Sequence, residues 1–130
     1  MSASPVNVRY MVGDVAAAAD WYVDKLGFSR LPNASPAFAA VERGALLLLL
    51  SGAASSAGRP MPDGRQPEPG GWNRVQLVVE DLAKEVARLR GLGVPFLNDI
   101  VKGPGGQQIL TQDPSGNVVE LFQPGAWGGR

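Results

Sequence analysis

Apolar and polar residues alternate along VRYMV (Val8 to Val12), with Val8, Tyr10 and Val12 on one side and Arg9 and Met11 on the other, the period of two of a strand with one covered face. The period then changes. Val15, Ala18, Ala19, Tyr22 and Leu26 recur at helical spacing after Asp14, a residue suited to accept from the first free backbone N–H groups, and Gly27 stands where a left-handed residue closes a helix. The same order returns from Val75. Val75, Leu77 and Val79 alternate, Asp81 caps, Leu82, Val86, Leu89 and Leu92 form a stripe, and Gly93 closes. Each copy is followed by a hairpin pattern. Phe38 to Leu50 turns at Arg43-Gly44, and Gln107 to Phe122 turns at Asp113 to Asn117, where Pro114 presets φ and Gly116 or Asn117 tolerates positive φ.

The two copies are in register. Val8, Val12 and Asp14 meet Val75, Val79 and Asp81 at an offset of 67, Leu26 and Gly27 meet Leu92 and Gly93 at 66, and Gly44 meets Gly116 at 72. Each half reads strand, helix, then two or three strands, and neither half alone covers its sheet's second face. The expectation is a single domain over residues 1–130, built from modules at about 5–50 and 73–124 joined by a loop at 51–72. Alternation puts Asn7, Arg9 and Met11, then Arg74, Gln76 and Val78, and finally Val118, Glu120 and Phe122 on the face away from the helices. That mixed face suits a ligand better than a dry core.

Composition narrows the function. Apolar residues are 45% of 130, enough for one domain, and 12 basic residues balance 12 acidic ones, so neither nucleic acid nor an anionic membrane is expected as a partner. There is no Cys, which removes disulfides and thiolate chemistry and fits a reducing cytoplasm. The start MSASPVNVRY lacks the basic and apolar regions of a signal peptide, and the longest apolar run, Ala45 to Leu50, is too short to span a bilayer. Ser51 to Gly71 is rich in Gly, Pro, Ala and Ser with no apolar period, either a flexible tether or a lid carrying Arg59, Met61 or Arg65.

The segments VGDVAAAADWYVDKLGF, VVEDLAKEVARLRGLGV and DPSGNVVELFQP resemble the vicinal oxygen chelate superfamily, which includes glyoxalase I, extradiol dioxygenases and bleomycin-binding proteins. The resemblance runs from about Val6 to Pro124, and DPSGNVVEL is its most specific part. It implies an α+β fold of two βαβββ modules forming a cup-shaped mixed sheet with helices on the convex face, and commonly a homodimer. It also implies four positions for divalent metal ligands. Those seven residues before each capping Asp are Asn7 and Arg74, the last-strand position is Glu120, and its first-module counterpart at the 72 offset is Leu48. Arg has no lone pair to give, Leu has nothing to coordinate with, and the chain has no His, so no metal and no cofactor is expected.

Glu120 and Arg74 are left with two readings. They form an ion pair in the place of the cation, or Arg74 and Asn7 present donors to a ligand while Glu120 accepts. Phe38, Trp72 and Phe122 are the candidate aromatic walls, whereas Trp21 and Tyr22 are read as packing residues. Trp127 is open between a rim and a dimer seam. The candidate ligand-binding set is therefore Asn7, Arg9, Phe38, Leu48, Trp72, Arg74, Gln76, Glu120 and Phe122, with Glu120 as the candidate catalytic group. Without His or Cys no Ser-His-Asp or Cys-His arrangement exists, and GPGGQQ at Gly103 to Gln108 precedes a strand, which does not suit a phosphate loop. Two functions follow. One is metal-free binding of a hydrophobic or aromatic small molecule; the alternative is a lyase, isomerase or dioxygenase using Glu120 with a non-standard metal set or as general base.

Overall fold

The computed structural model describes residues 6–32 and 34–125, so Trp127 lies outside the described residues. Its elements run β1 (Val8–Met11), α1 (Val15–Leu26), β2 (Ser29–Arg30), β3 (Phe38–Arg43), β4 (Leu46–Ser51), then β5 (Val75–Val78), α2 (Leu82–Gly91), β6 (Val101–Gly103), β7 (Gly106–Gln112) and β8 (Val118–Pro124). This is βαβββ written twice. The sheets have the orders β1-β4-β3-β2 and β5-β8-β7-β6, each with one parallel pair and otherwise antiparallel neighbours. By contact the chain divides into two units. The first is the chain up to Gly71 together with Asp113–Asn117, and the second is Trp72–Gln112 with the chain from Val118 onward.

Helix boundaries follow from side-chain chemistry. The Asp14 carboxylate accepts from Ala17 N–H at 3.0 Å, and Gly27 at φ +73° ends α1. Asp81 accepts from Lys84 N–H at 3.1 Å, and Gln123 Oε1 accepts from Leu82 N–H at 2.8 Å, so two side chains satisfy the start of α2. The stripe Val15, Ala18, Ala19, Tyr22 and Leu26 is buried against β3 and β4. In the second unit Leu82, Val86 and Leu89 are buried, but Leu92 is 45% exposed, which corrects the expected stripe. Its cause is the early end of α2 at Gly91. Gly93 at φ +83° turns the chain, and Val94 goes inside in place of Leu92, with its N–H bonded to Leu89 O at 3.0 Å.

The segment after β4 carries structure of its own. Ser51 completes the strand, Ser56–Gly58 form a 3-10 turn, and Met61 and Arg65 close a small loop through Met61 N–H to Arg65 O at 2.8 Å. Gly70 N–H donates to Asn117 Oδ1 at 2.9 Å. Among the described residues no helix is long and apolar enough to cross a membrane.

Candidate functional site

In the second unit the parallel pairing of β5 with β8 sets Gln76 beside Glu120, and the antiparallel pairing with β7 sets Leu110 on its other side. Period-two alternation then places Arg74, Gln76, Val78, Glu120 and Phe122 on one face, while Val75, Leu77, Val119 and Leu121 are buried beneath α2. The two oxygens of Glu120 are both engaged. Arg74 Nε donates to Oε1 at 3.0 Å and Gln76 Nε2 to Oε2 at 2.7 Å. The Glu120 side chain is 7% exposed and that of Arg74 28%, so the ion pair is shielded on the carboxylate side and open on the guanidinium side. Arg74 Nη1 also donates to Trp72 O at 3.4 Å. A buried carboxylate needs such partners, because an unpaired charge there would be costly.

The first unit fills the equivalent place differently. Val8 pairs with Leu48, whereas Val75 pairs with Val119, so the residue matching Glu120 is Leu49 and not Leu48. This corrects the expected site. Leu48 is fully buried on the face of Val8 and Tyr10, where it packs as core. The reason is the turns. Two residues separate β3 from β4 and five separate β7 from β8, so superposing Gly44 on Gly116 slips the register by one residue and exchanges the faces. The strand register places Arg9, Leu49, Ala40, Leu47, Glu42, Ser51 and Phe38 on the same face of the first sheet. Arg9 Nη1 donates to Ser51 Oγ at 2.7 Å. Asn7 is exposed just before β1.

The aromatic candidates separate as well. Phe38 and Phe122 are half-buried, and Phe122 with Gln108 borders a cleft of about 210 Å³ against the β6–β7 hairpin. Trp72 is 70% exposed, which argues against its being a wall within its own unit. Tyr22 is fully buried with its ring edge-on to Phe28 at 5.2 Å. Gly106 sits so close to β8 that a Cβ would lie 2.1 Å from Gln123 O, the physical reason for glycine in GPGGQQ. A larger cleft of about 390 Å³ at the start of α2 is lined by Val79, Glu80, Asp81, Lys84, Glu85 and Arg88, of which Asp81 serves as cap and Arg88 pairs with Glu85.

The DPSGN segment turns out to be architectural. The Asp113 carboxylate is buried and accepts from Tyr22 OH at 2.9 Å, Ser115 N–H at 2.9 Å, Asn117 N–H at 2.9 Å and Asn117 Nδ2 at 3.1 Å. Asn117 Nδ2 also donates to Met11 O at 2.8 Å, and Ser115 Oγ accepts from Gly13 N–H at 2.9 Å. The turn thus locks the junction of β1 with α1. Burial, then the charge of Asp113 and its hydrogen bond, push the Tyr22 hydroxyl well above its ordinary pKa.

These side chains do not fit a divalent cation. In the second unit Arg74 brings a positive charge and the oxygens of Glu120 already accept two hydrogen bonds. In the first unit Leu49, at the matching position, offers no donor atom. Among the described residues no three His, Cys, Asp or Glu side chains come together as a metal-ligand group.

Residues that sequence reasoning missed are Leu49, Leu47 and Ala40 on the first sheet and Gln108 and Leu110 on the second. Alternation carried across β3 and β7 from the opposing strands would have found them.

Comparison with known proteins agrees with this architecture. The sequence model described as Glyoxalase/Bleomycin resistance protein/Dioxygenase superfamily matches residues 5–121, and the chain belongs to that superfamily. No curated protein matches the sequence. Among solved structures, lactoylglutathione lyase from Agrobacterium tumefaciens is 21% identical with a TM-score of 0.75, covering 99% of this chain and 100% of that one. TioX from Micromonospora sp. ML1 is 20% identical with a TM-score of 0.74, covering 94% and 99%. At these identities the likeness concerns the fold. TnmS3 from Streptomyces sp. CB03234, described as an antibiotic binding protein, is 26% identical with a TM-score of 0.66, covering 96% and 100%.

Proposed function

We propose that this protein binds a hydrophobic or aromatic small molecule without the help of a metal ion. The observation that carries the reading is the state of Glu120, whose two oxygens are taken by the Arg74 guanidinium and the Gln76 amide. Each oxygen of this acceptor is already committed to a donor, and the fixed positive charge of Arg74 beside it repels a cation. The same arrangement weighs against Glu120 as a general base, since a proton acceptor needs reach to its substrate. In the second unit the half-buried Phe122 and the cleft beside it supply apolar contact area, the larger part of small-molecule affinity. The antibiotic-binding description of TnmS3 supports the reading from a relative.

A homodimer, a single domain of two modules and a cytoplasmic setting belong to the same proposal, the last on the absence of Cys. Nucleic acid and membrane have no part in it, given the balanced charge.

A thermal-shift screen of aromatic compounds in excess chelator tests the reading. Binding to the native state raises Tm with the logarithm of ligand concentration over Kd. Shifts that persist in chelator support it; shifts that appear only after addition of a divalent metal sink it.

A further inference from the structure

The two sheet faces use charge unequally at one position of the fold. In the second unit Gln76 faces Glu120, and Arg74 completes the pair. In the first unit the cation Arg9 faces Leu49. Among the described residues Arg9 enters no ion pair, and the acid on its face, Glu42, stands in register with Leu47 on a strand two places away.

Arg9 is nevertheless positioned. Its Nη1 donates to Ser51 Oγ at 2.7 Å, and Ser51 is fully buried with its carbonyl accepting from Val12 N–H at 3.0 Å, so the acceptor is fixed to the sheet. A guanidinium carries five N–H donors in a planar fork, and one bond to a hydroxyl leaves most of that fork for another acceptor. The surroundings on this face are apolar, with Leu47, Leu49 and Phe38 each half-buried. A cation held beside uncovered apolar surface matches a ligand that is apolar along its body and anionic at one end.

We propose that Arg9, held by Ser51 beside Leu49, receives the carboxylate of a small molecule whose apolar body lies on Leu47, Leu49 and Phe38. The proposal rests on the small-molecule-binding reading above and adds the ligand's chemical class. Planar carboxylate oxygens match the guanidinium fork in pairs, which makes the acid group a determinant of specificity.

Calorimetric titration of the full chain with matched probes tests it: 2-naphthoate against 2-naphthamide, and indole-3-acetate against indole-3-acetamide. Each acid is expected to bind about tenfold or more tightly than its amide, the scale of a hydrogen-bonded charge. Arg9→Gln should erase that preference, Arg9→Lys should retain part of it, and Ser51→Ala should weaken it with Arg9 in place. Unchanged Tm for Arg9→Gln certifies the fold. Equal affinity for acid and amide overturns the anchor while the small-molecule reading stands, and so does an acid preference that survives Arg9→Gln. Failure of all four probes to bind at millimolar concentration counts against both.

Discussion

The two modules share an element order and differ in what they put at its centre. The second closes a carboxylate, a guanidinium and an amide on one another at Glu120, whereas the first leaves Arg9 opposite a leucine. Duplicate backbones therefore do not imply duplicate sites. In one module polar residues satisfy one another and rigidify the sheet face. In the other a cation has no acidic partner among the described residues, a state that suits recognition.

The sharpest way to break the comparison is to test the register that defines it. Leu48→Ala, in the core, should lower stability by about 3 kcal/mol, and Leu49→Ala, on the half-exposed face, by less than about 1 kcal/mol. Urea unfolding measures both, and the reverse order would restore Leu48 to the site. Next in size is Glu120→Ala. It strands Gln76 and the partly open Arg74, at a cost of about 2 kcal/mol, and replacing Arg74 by Leu in the same chain should recover part of the loss in a double-mutant cycle.

Tyr22→Phe should cost about 1 kcal/mol, because Asp113 loses one of its donors. Its pH signature is more specific. A hydroxyl whose pKa is raised on folding keeps its proton in the native state, so the unfolded chain binds fewer protons once pH passes its ordinary value near 10. Stability from this group is complete below that pH and declines above it; in Tyr22→Phe the decline from this source should vanish from alkaline melting curves. The smallest effect is expected from Leu49→Glu, which gives Arg9 the acid its counterpart has. An exposed pair of this kind is worth about 0.5 kcal/mol, and the same change should abolish any preference for acidic ligands.

Much of the fold was legible because its signals are local. Asp14 and Asp81 cap helices, Gly27 and Gly93 close them, and strand alternation sorted Arg74 and Glu120 onto one face. What failed depended on turn length, a quantity that motif alignment hides. Matching Gly44 to Gly116 ignored the unequal loops and moved Leu48 to the wrong side of the sheet. Leu92 was misplaced for a related reason, since periodicity carries a stripe beyond the residue where the helix ends. The role of Asp113 and Asn117 was out of reach because their partners, Tyr22 and Met11, are 91 and 106 residues away in sequence.

The claim that a guanidinium stands where the superfamily's ligand set would hold a cation meets its most direct test in calorimetric titration of the full chain with zinc and nickel, beside Glu120→Gln. No one-to-one site that depends on Glu120 is expected. A stoichiometric metal ion held by the unaltered chain and released by Glu120→Gln would contradict it.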